Sequence, residues 1–353
     1  MKVLILTNTP TPYRKPLFEA IGDKVNLDVV FCSEKEGNRD WSIEQDAINF
    51  KYIKMGVIKF NIKGKYIYIA KNIFTILVRG KYDKYILGDA SYTTYIAALL
   101  LNLMKKEYIL WCGYTKASMS ESKIGFFLKK KLIKNASSIV SYGSETTRII
   151  SKYTSKKIYN TYNCVDNEFF NNLKLRVVGE KKKEEVKTIV YTGQIIERKN
   201  IHSLIQAIGG LDNCQLIVIG RGDEKYKKRL EKLAKEEHCK VEFVGVKTPY
   251  EIYEIYNRAD CFCLPSYDEP WGLVVNEAML FGLPVVVSDK VGCHYDLIEN
   301  GINGFVSSCD SRSIRHCLDS VFKTNFKRED IIKGIENKSS PKLSAAAFIK
   351  AIS

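Results

Sequence analysis

The sequence predicts an α/β protein of two domains, each an open parallel sheet covered by helices. Apolar runs of strand length alternate with stretches of helical periodicity. One polar, charged stretch, residues 166–187, interrupts the alternation as a linker would. A length of 353 residues gives each half enough chain to bury its own core.

In the first half, strands are expected at Val3–Leu6, Leu27–Cys32, Tyr85–Leu87, Tyr108–Cys112, Ile139–Tyr142 and Ile158–Tyr162. Helical patterns fall between several of them, at Tyr95–Met104 and Ile124–Ile133. The linker carries Glu180-Lys181-Lys182-Lys183-Glu184-Glu185. In the second half, strands are expected at Thr188–Tyr191, Leu216–Ile219, Val241–Val244, Cys261–Pro265 and Pro284–Ser288. Ile201, Leu204, Ile205 and Ile208 have helical spacing, and Asp223 stands where a helix cap belongs. Ser340–Ser353 reads as a short final helix. The domains are 1–165 and 188–339, and ligands of such sheets bind outside the carboxyl ends of the strands, here facing the cleft between domains.

Composition excludes several classes. With 45% hydrophobic and 27% charged residues the chain is a folded one. No apolar run approaches a membrane span, and the short run after Met1 reads as a buried strand, not a signal peptide, so a cytoplasmic location is expected. The ten cysteines are scattered, several within strand-like runs, without a Cys-x2-Cys pair. They read as reduced core residues. The net charge of +15 is uneven: residues 1–170 hold 27 Lys and Arg against 15 Asp and Glu. That half should meet an anionic partner. No zinc-finger or RNP-type motif supports nucleic acid.

The chemistry concentrates in Pro265-Ser266-Tyr267-Asp268-Glu269-Pro270-Trp271-Gly272-Leu273-Val274-Val275-Asn276-Glu277-Ala278-Met279. A strand ends near Pro265, a loop carries Glu269, and a helix should run from about Gly272 to Gly282. Amides at its start have no partner inside the helix and can bind phosphate. Gly272 admits close approach of a ligand. Glu277 shares a helix face with Leu273 and Val274, about 6 Å along the axis from such a phosphate, within reach of ribose hydroxyls. The alternative is a polar loop with Glu277 in solvent.

Glu269-x7-Glu277 followed by Ala-Met-x-x-Gly-x-Pro-Val-Val resembles the donor-site signature of family 4 retaining glycosyltransferases, whose architecture is GT-B: two Rossmann-like domains with an interdomain cleft. Gly193-Gln194-Ile195-Ile196-Glu197-Arg198-Lys199-Asn200 is similar to the family's Gly-Arg-Leu-x-x-x-Lys-Gly element. Asn163-Cys164-Val165-Asp166, Val218-Ile219-Gly220-Arg221-Gly222 and Glu299-Asn300-Gly301-x-x-Gly304 resemble further family elements, in the family's order.

The resemblance implies a catalytic set of Lys199, Arg198 and Glu269, with the cations on the donor diphosphate and Glu269 against the donor sugar. It implies donor-binding roles for Glu277 on the ribose, for Trp271, Gly272, Leu273 and Val274 through their amides, for Gly193, and for Val246 beside the base. It implies transfer from a nucleotide-diphosphate sugar, a UDP-sugar first, to a glycan or lipid-linked glycan in cell-surface polysaccharide synthesis. In a front-face retaining mechanism the departing phosphate takes the acceptor's proton. The final helix would cross back to the first domain.

Departures matter. Gln194 stands where many members carry a phosphate-binding Arg. The glycine-rich N-terminal loop is replaced by Thr9-Pro10-Thr11-Pro12-Tyr13-Arg14-Lys15-Pro16. Tyr13 and Arg14 fall on the acceptor side: Arg14 meets a phosphate, or stands in solvent on a proline-stiffened loop. All four histidines lie in the second half, so no His from the first domain serves as base. Asp89, Glu121 or Tyr114 could assist instead. His294 lies near the donor loop. No Asp-x-Asp is present, and no metal or other cofactor is expected. Gly220-x-Gly222 lacks a third glycine for dinucleotide binding. A sugar-nucleotide epimerase of similar fold and a degenerate membrane-associated binding protein are the alternatives.

Ser122–Lys134 mixes aromatic, aliphatic and lysine residues over a helical length, and Lys59–Tyr85 is rich in both aromatics and lysine. An anionic membrane surface at the inner leaflet is therefore a candidate partner, against an ordinary helix with solvated lysines.

Overall fold

The computed structural model describes residues 1–32, 48–62, 65–88, 91–120, 122–176 and 186–353. It divides into one unit of Met1–Val165 with Ser340–Ser353 and a second of Asp166–Ser339.

In the first unit, strands β1 (Lys2–Thr7), β2 (Asn26–Phe31), β3 (Lys51–Lys54), β6 (Lys84–Gly88), β7 (Ile109–Cys112), β8 (Ser138–Tyr142) and β9 (Ile158–Thr161) form a parallel sheet. Its order is β3-β2-β1-β6-β7-β8-β9. The apolar runs follow from this: inner strands of a parallel sheet are covered on both faces. Alternate residues of β1 serve different cores. Leu4 and Leu6 join Leu77, Leu101 and Leu132 on one face. Val3 and Ile5 join Phe18, Trp111 and Phe348 on the other. Phe348 comes from the final helix, Pro341–Ile352, whose cap Ser340 accepts from the Leu343 amide. Its ring lies edge-on to Trp111 at 5.1 Å, and Ser344 Oγ donates to the Tyr162 carbonyl at 2.6 Å.

The hairpin of β4 (Val57–Ile62) and β5 (Lys65–Ala70), paired antiparallel from Val57↔Ala70 to Ile62↔Lys65, was not expected from the sequence, and neither was β3. Their mixed polar and aromatic content gives no clean two-residue alternation.

The second unit holds β10 (Lys187–Thr192), β11 (Cys214–Ile219), β12 (Lys240–Gly245), β13 (Cys261–Leu264), β14 (Val285–Ser288) and β15 (Gly304–Ser307), all parallel, in the order β12-β11-β10-β13-β14-β15. The strand β15 escapes the sequence because Gly304-Phe305-Val306-Ser307 is too short and mixed. Asp223 does cap its helix, accepting from the Tyr226 amide at 2.7 Å. The stretch 166–187 is not all linker. Asn167–Arg176 is a helix belonging to the second unit, anchored by Asn167 Nδ2 on the Ser339 carbonyl at 2.9 Å. The charged run Glu180–Glu185, like Asp89 and Glu121, lies outside the described residues.

All ten cysteines are free, eight of them buried. Among the described residues, no helix is long and apolar enough to cross a membrane, and no three His, Cys, Asp or Glu side chains gather as metal ligands.

Candidate active site

The strand order of the second unit reverses at β10, which has β11 on one side and β13 on the other. The loops leaving such a pair of strands diverge and open a crevice at their carboxyl ends. The loop after β10 carries Gly193 to Asn200; the loop after β13 carries Pro265 to Gly272. Parallel pairing of Ile189 with Cys261 and Val190 with Phe262 brings both loops out at the same end.

Lys199 Nζ is hydrogen-bonded to Glu269 Oε2. Arg198 Nη1 stands 3.8 Å from the same oxygen and donates to the Asp268 carbonyl. Lys199 is buried and Arg198 is exposed. The two cations thus differ: one is packed and fixed, the other reaches into solvent. The Tyr267 amide donates to the Arg198 carbonyl at 2.9 Å, closing the two loops on each other. Asn200, in the left-handed region at φ 57°, donates through Nδ2 to the carbonyls of Pro265 at 3.0 Å and Cys309 at 2.8 Å. Its role was missed from sequence; an asparagine where the related element carries glycine was the available signal.

The helix Leu273–Leu280 starts at Gly272, φ 93°, with no side-chain cap and no acidic residue in its first turn. Its leading amides therefore face outward unpartnered by the helix, and the carboxylate nearest its start, Glu269 on the preceding loop, is paired with Lys199. A Cβ at Gly272 would stand 3.0 Å from both Leu264 Cδ2 and Val291 Cγ1. Within the helix, Leu273, Val274 and Glu277 are half-buried while Val275, Asn276, Ala278 and Met279 are buried. The shared face expected from spacing is the open one.

Glu277 is not a solvated loop residue. Packed surroundings push its carboxyl up to about 7 by desolvation, and among the described residues no group donates to it. A carboxylate so placed gains from any hydroxyl donors brought to it.

Trp271 does not offer its ring to a ligand. The side chain is buried and its Nε1 donates to Asn276 Oδ1 at 2.9 Å, while Asn276 Nδ2 donates to Ser339 Oγ at 2.9 Å. Its indole anchors the loop; only its backbone stays near the helix start. Glu269 is tied in turn to the loop after β14: its amide donates to the Lys290 carbonyl at 3.1 Å and its carbonyl accepts from Gly292 at 2.8 Å. His294 Nδ1 lies 2.8 Å from the Val291 carbonyl on that loop.

Gly193, Gly220 and Gly245 stack at the ends of β10, β11 and β12. The Gly193 amide donates to the Ile219 carbonyl at 2.9 Å and Gly220 to Gly245 at 2.8 Å. A Cβ on Gly220 would overlap the Gly193 carbonyl. Val246, just beyond, is 66% exposed, an uncovered apolar surface beside the site. Gln194 is exposed, and only its carbonyl is engaged, by Tyr191 Oη at 2.7 Å.

His202 bridges two tyrosines, with Nδ1 3.2 Å from Tyr226 Oη and Nε2 3.2 Å from Tyr267 Oη, and burial lowers its pKa. It braces the loop from behind.

In the first unit, Arg14 is not in solvent. Its Nη1 donates to Thr7 Oγ1 at 2.6 Å, and its guanidinium lies 4.8 Å over the Trp111 ring. Thr7 is the last residue of β1 and Trp111 the penultimate residue of β7, so Arg14 sits at the carboxyl edge of that sheet. Tyr13, its neighbour, is half-buried. Tyr114 is buried, and Thr146 Oγ1 donates to its carbonyl at 3.3 Å.

Residues 171–338 match the family model of glycosyl transferases group 1. An uncharacterized glycosyltransferase of Haemophilus influenzae is 27% identical over 305 residues, 84% of this chain and 81% of that one. Among solved structures, the lipopolysaccharide outer core galactosyltransferase WaaB superposes with a TM-score of 0.75 at 17% identity, covering 100% of this chain and 99% of that one. Anabaena HepE in complex with UDP and glucose superposes at 0.71 and 16% identity, covering 100% and 99%. At such identities the solved structures bear on fold, which is GT-B, and the family model bears on kinship: the second unit belongs to the glycosyl transferases group 1, and the chain is a glycosyltransferase.

Proposed function

We propose that this chain transfers a sugar, with retention, from a nucleotide-diphosphate donor to a glycan or lipid-linked glycan. The observation that carries the reading is the Lys199–Glu269 pair, held beside the uncapped helix start at Gly272 with Glu277 one turn further on. In this reading the diphosphate meets Lys199, Arg198 and the amides of Leu273 and Val274, while the ribose hydroxyls donate to Glu277. Glu269 accepts from hydroxyls of the donor sugar. The bond from the anomeric carbon to the phosphate oxygen breaks, and the bond to the acceptor oxygen forms on the same face. The acceptor's proton passes to the departing phosphate oxygen. Lys199 and Arg198 stabilise the charge that develops there, so the reaction needs no metal.

A UDP-sugar is the proposed donor, supported by the bound UDP and glucose of HepE, a protein of the same fold. A cell-surface glycan as acceptor is supported by the name of WaaB. Arg14, at the sheet edge of the first unit, is proposed to meet an anionic group of the acceptor. Thermal-shift screening of UDP, GDP and their sugars tests the donor, since a ligand of the folded state raises its melting temperature. Transfer in the presence of EDTA, with the anomeric configuration of the product read by NMR, tests the rest. An inverted product or an epimerised free nucleotide sugar would refute the reading.

A further inference from the structure

Six large apolar side chains stand exposed on three neighbouring helices of the first unit. They are Phe74 and Val78 on Ile73–Arg79, Leu99 and Leu103 on Tyr92–Leu103, and Ile124 and Phe127 on Lys123–Asn135. The inner sides of these helices give Leu77, Leu101 and Leu132 to one core, and the middle helix packs against both others. Each exposed pair is spaced by three or four residues, so both members project from one side of their helix. Ile124 is 75% exposed and Leu103 72%, values at which burial offers these residues nothing within the chain. A groove of about 200 Å³ lined by Ile96, Leu99 and Leu128 continues the apolar surface between the second and third helices. Apolar residues gathered in this way mark an interaction surface.

The charge on these helices is of one sign. The three helices contain no Asp or Glu, and Lys123, Lys131 and Lys134 are exposed on the third. Ile124, Phe127, Lys131 and Lys134 follow helical spacing, an apolar end continuing into a basic one. Next to it a cavity of about 410 Å³ has Met119 and Phe126 in its wall and Lys116, Lys123 and Lys152 among its lining residues.

We propose that this face docks on an anionic bilayer surface, its apolar side chains entering the interface and its lysines meeting lipid phosphates. A second copy of the chain would bring like charges together. A nucleic acid would leave the apolar side chains uncovered. The inference stands on exposure and charge, independently of the donor chemistry.

Flotation of the full chain with vesicles tests it. Binding is expected to vesicles of phosphatidylcholine containing about one third phosphatidylglycerol, to fall as salt is raised, and to be absent from phosphatidylcholine alone. Ile124→Ser with Phe127→Ser should lower partitioning by about tenfold or more. Lys131→Gln with Lys134→Gln should lower it about twenty-five-fold, at roughly fivefold for each lysine. These side chains are exposed, so circular dichroism, melting temperature and nucleotide binding should not change. Absence of flotation, or flotation unaltered by both double variants, would overturn the proposal. So would a dimer in sedimentation that the apolar double variant abolishes, if vesicles do not compete with it.

Discussion

Lys199 and Glu269 are joined directly, Nζ to Oε2, although 70 residues separate them in the chain. The carboxylate aligns a buried cation at the crevice between β10 and β13, and Arg198 flanks the same oxygen. Replacing Lys199 by Ala should reduce transfer by on the order of 10²–10³-fold, the scale of losing one stabilising donor at a developing charge. Initial rates with saturating donor would measure it, and circular dichroism would check that the fold is kept. Full activity would remove Lys199 from the site.

Glu277 should impose a pH dependence. Its carboxyl is pushed up to about 7, against an unfolded value near 4.3. The folded chain therefore binds this proton more tightly, and stability falls as pH rises from about 4.5 to 7. The cost of the buried charge is complete above that window. Glu277→Gln should thus melt higher than the parent at pH 8, by no more than about 3 kcal/mol because the side chain is half-buried, and equally at pH 4. The same variant should lose nucleotide affinity. Equal melting differences at both pH values would contradict the assignment.

Nucleotide binding should also release protons near pH 7. Hydroxyls donating to the Glu277 carboxylate favour its charged form and draw its pKa down. Calorimetric titrations with UDP in two buffers of different ionisation enthalpy would show it. Identical apparent enthalpies would indicate that Glu277 does not meet the ligand.

Gly272→Ala should weaken both fold and site. The residue has φ 93°, and its new Cβ would press on Leu264 and Val291 at 3.0 Å. A loss of about 1–2 kcal/mol is expected in urea unfolding. Shifted amides at the helix start should raise the donor's KM by about tenfold.

Trp271→Phe separates a structural ring from a ligand-binding one. It removes the buried hydrogen bond to Asn276, at about 1–2 kcal/mol of stability. With the indole turned inward, kcat/KM should change by less than about threefold where the protein is folded. A large loss confined to KM for the donor would show that the ring touches it.

How much was legible in advance follows from which forces act locally. Apolar runs such as Ile139–Tyr142 and Cys261–Leu264 marked strands because a covered parallel sheet demands them. The face of Leu273, Val274 and Glu277 could be read from helical spacing alone. Gly272 signalled a special backbone, and Asp223 a cap. By itself the sequence determined the α/β class, the two-unit division and the loops for which the chemistry is proposed. Strand order was decided only by tertiary packing, and with it the meeting of Lys199 with Glu269, since no local periodicity encodes which parallel strands become neighbours. Tertiary packing also turned Trp271 inward, closed Arg14 over Trp111 and desolvated Glu277. Each of these depends on distant chain segments filling the space around one side chain, a property of the folded core that residue order does not display.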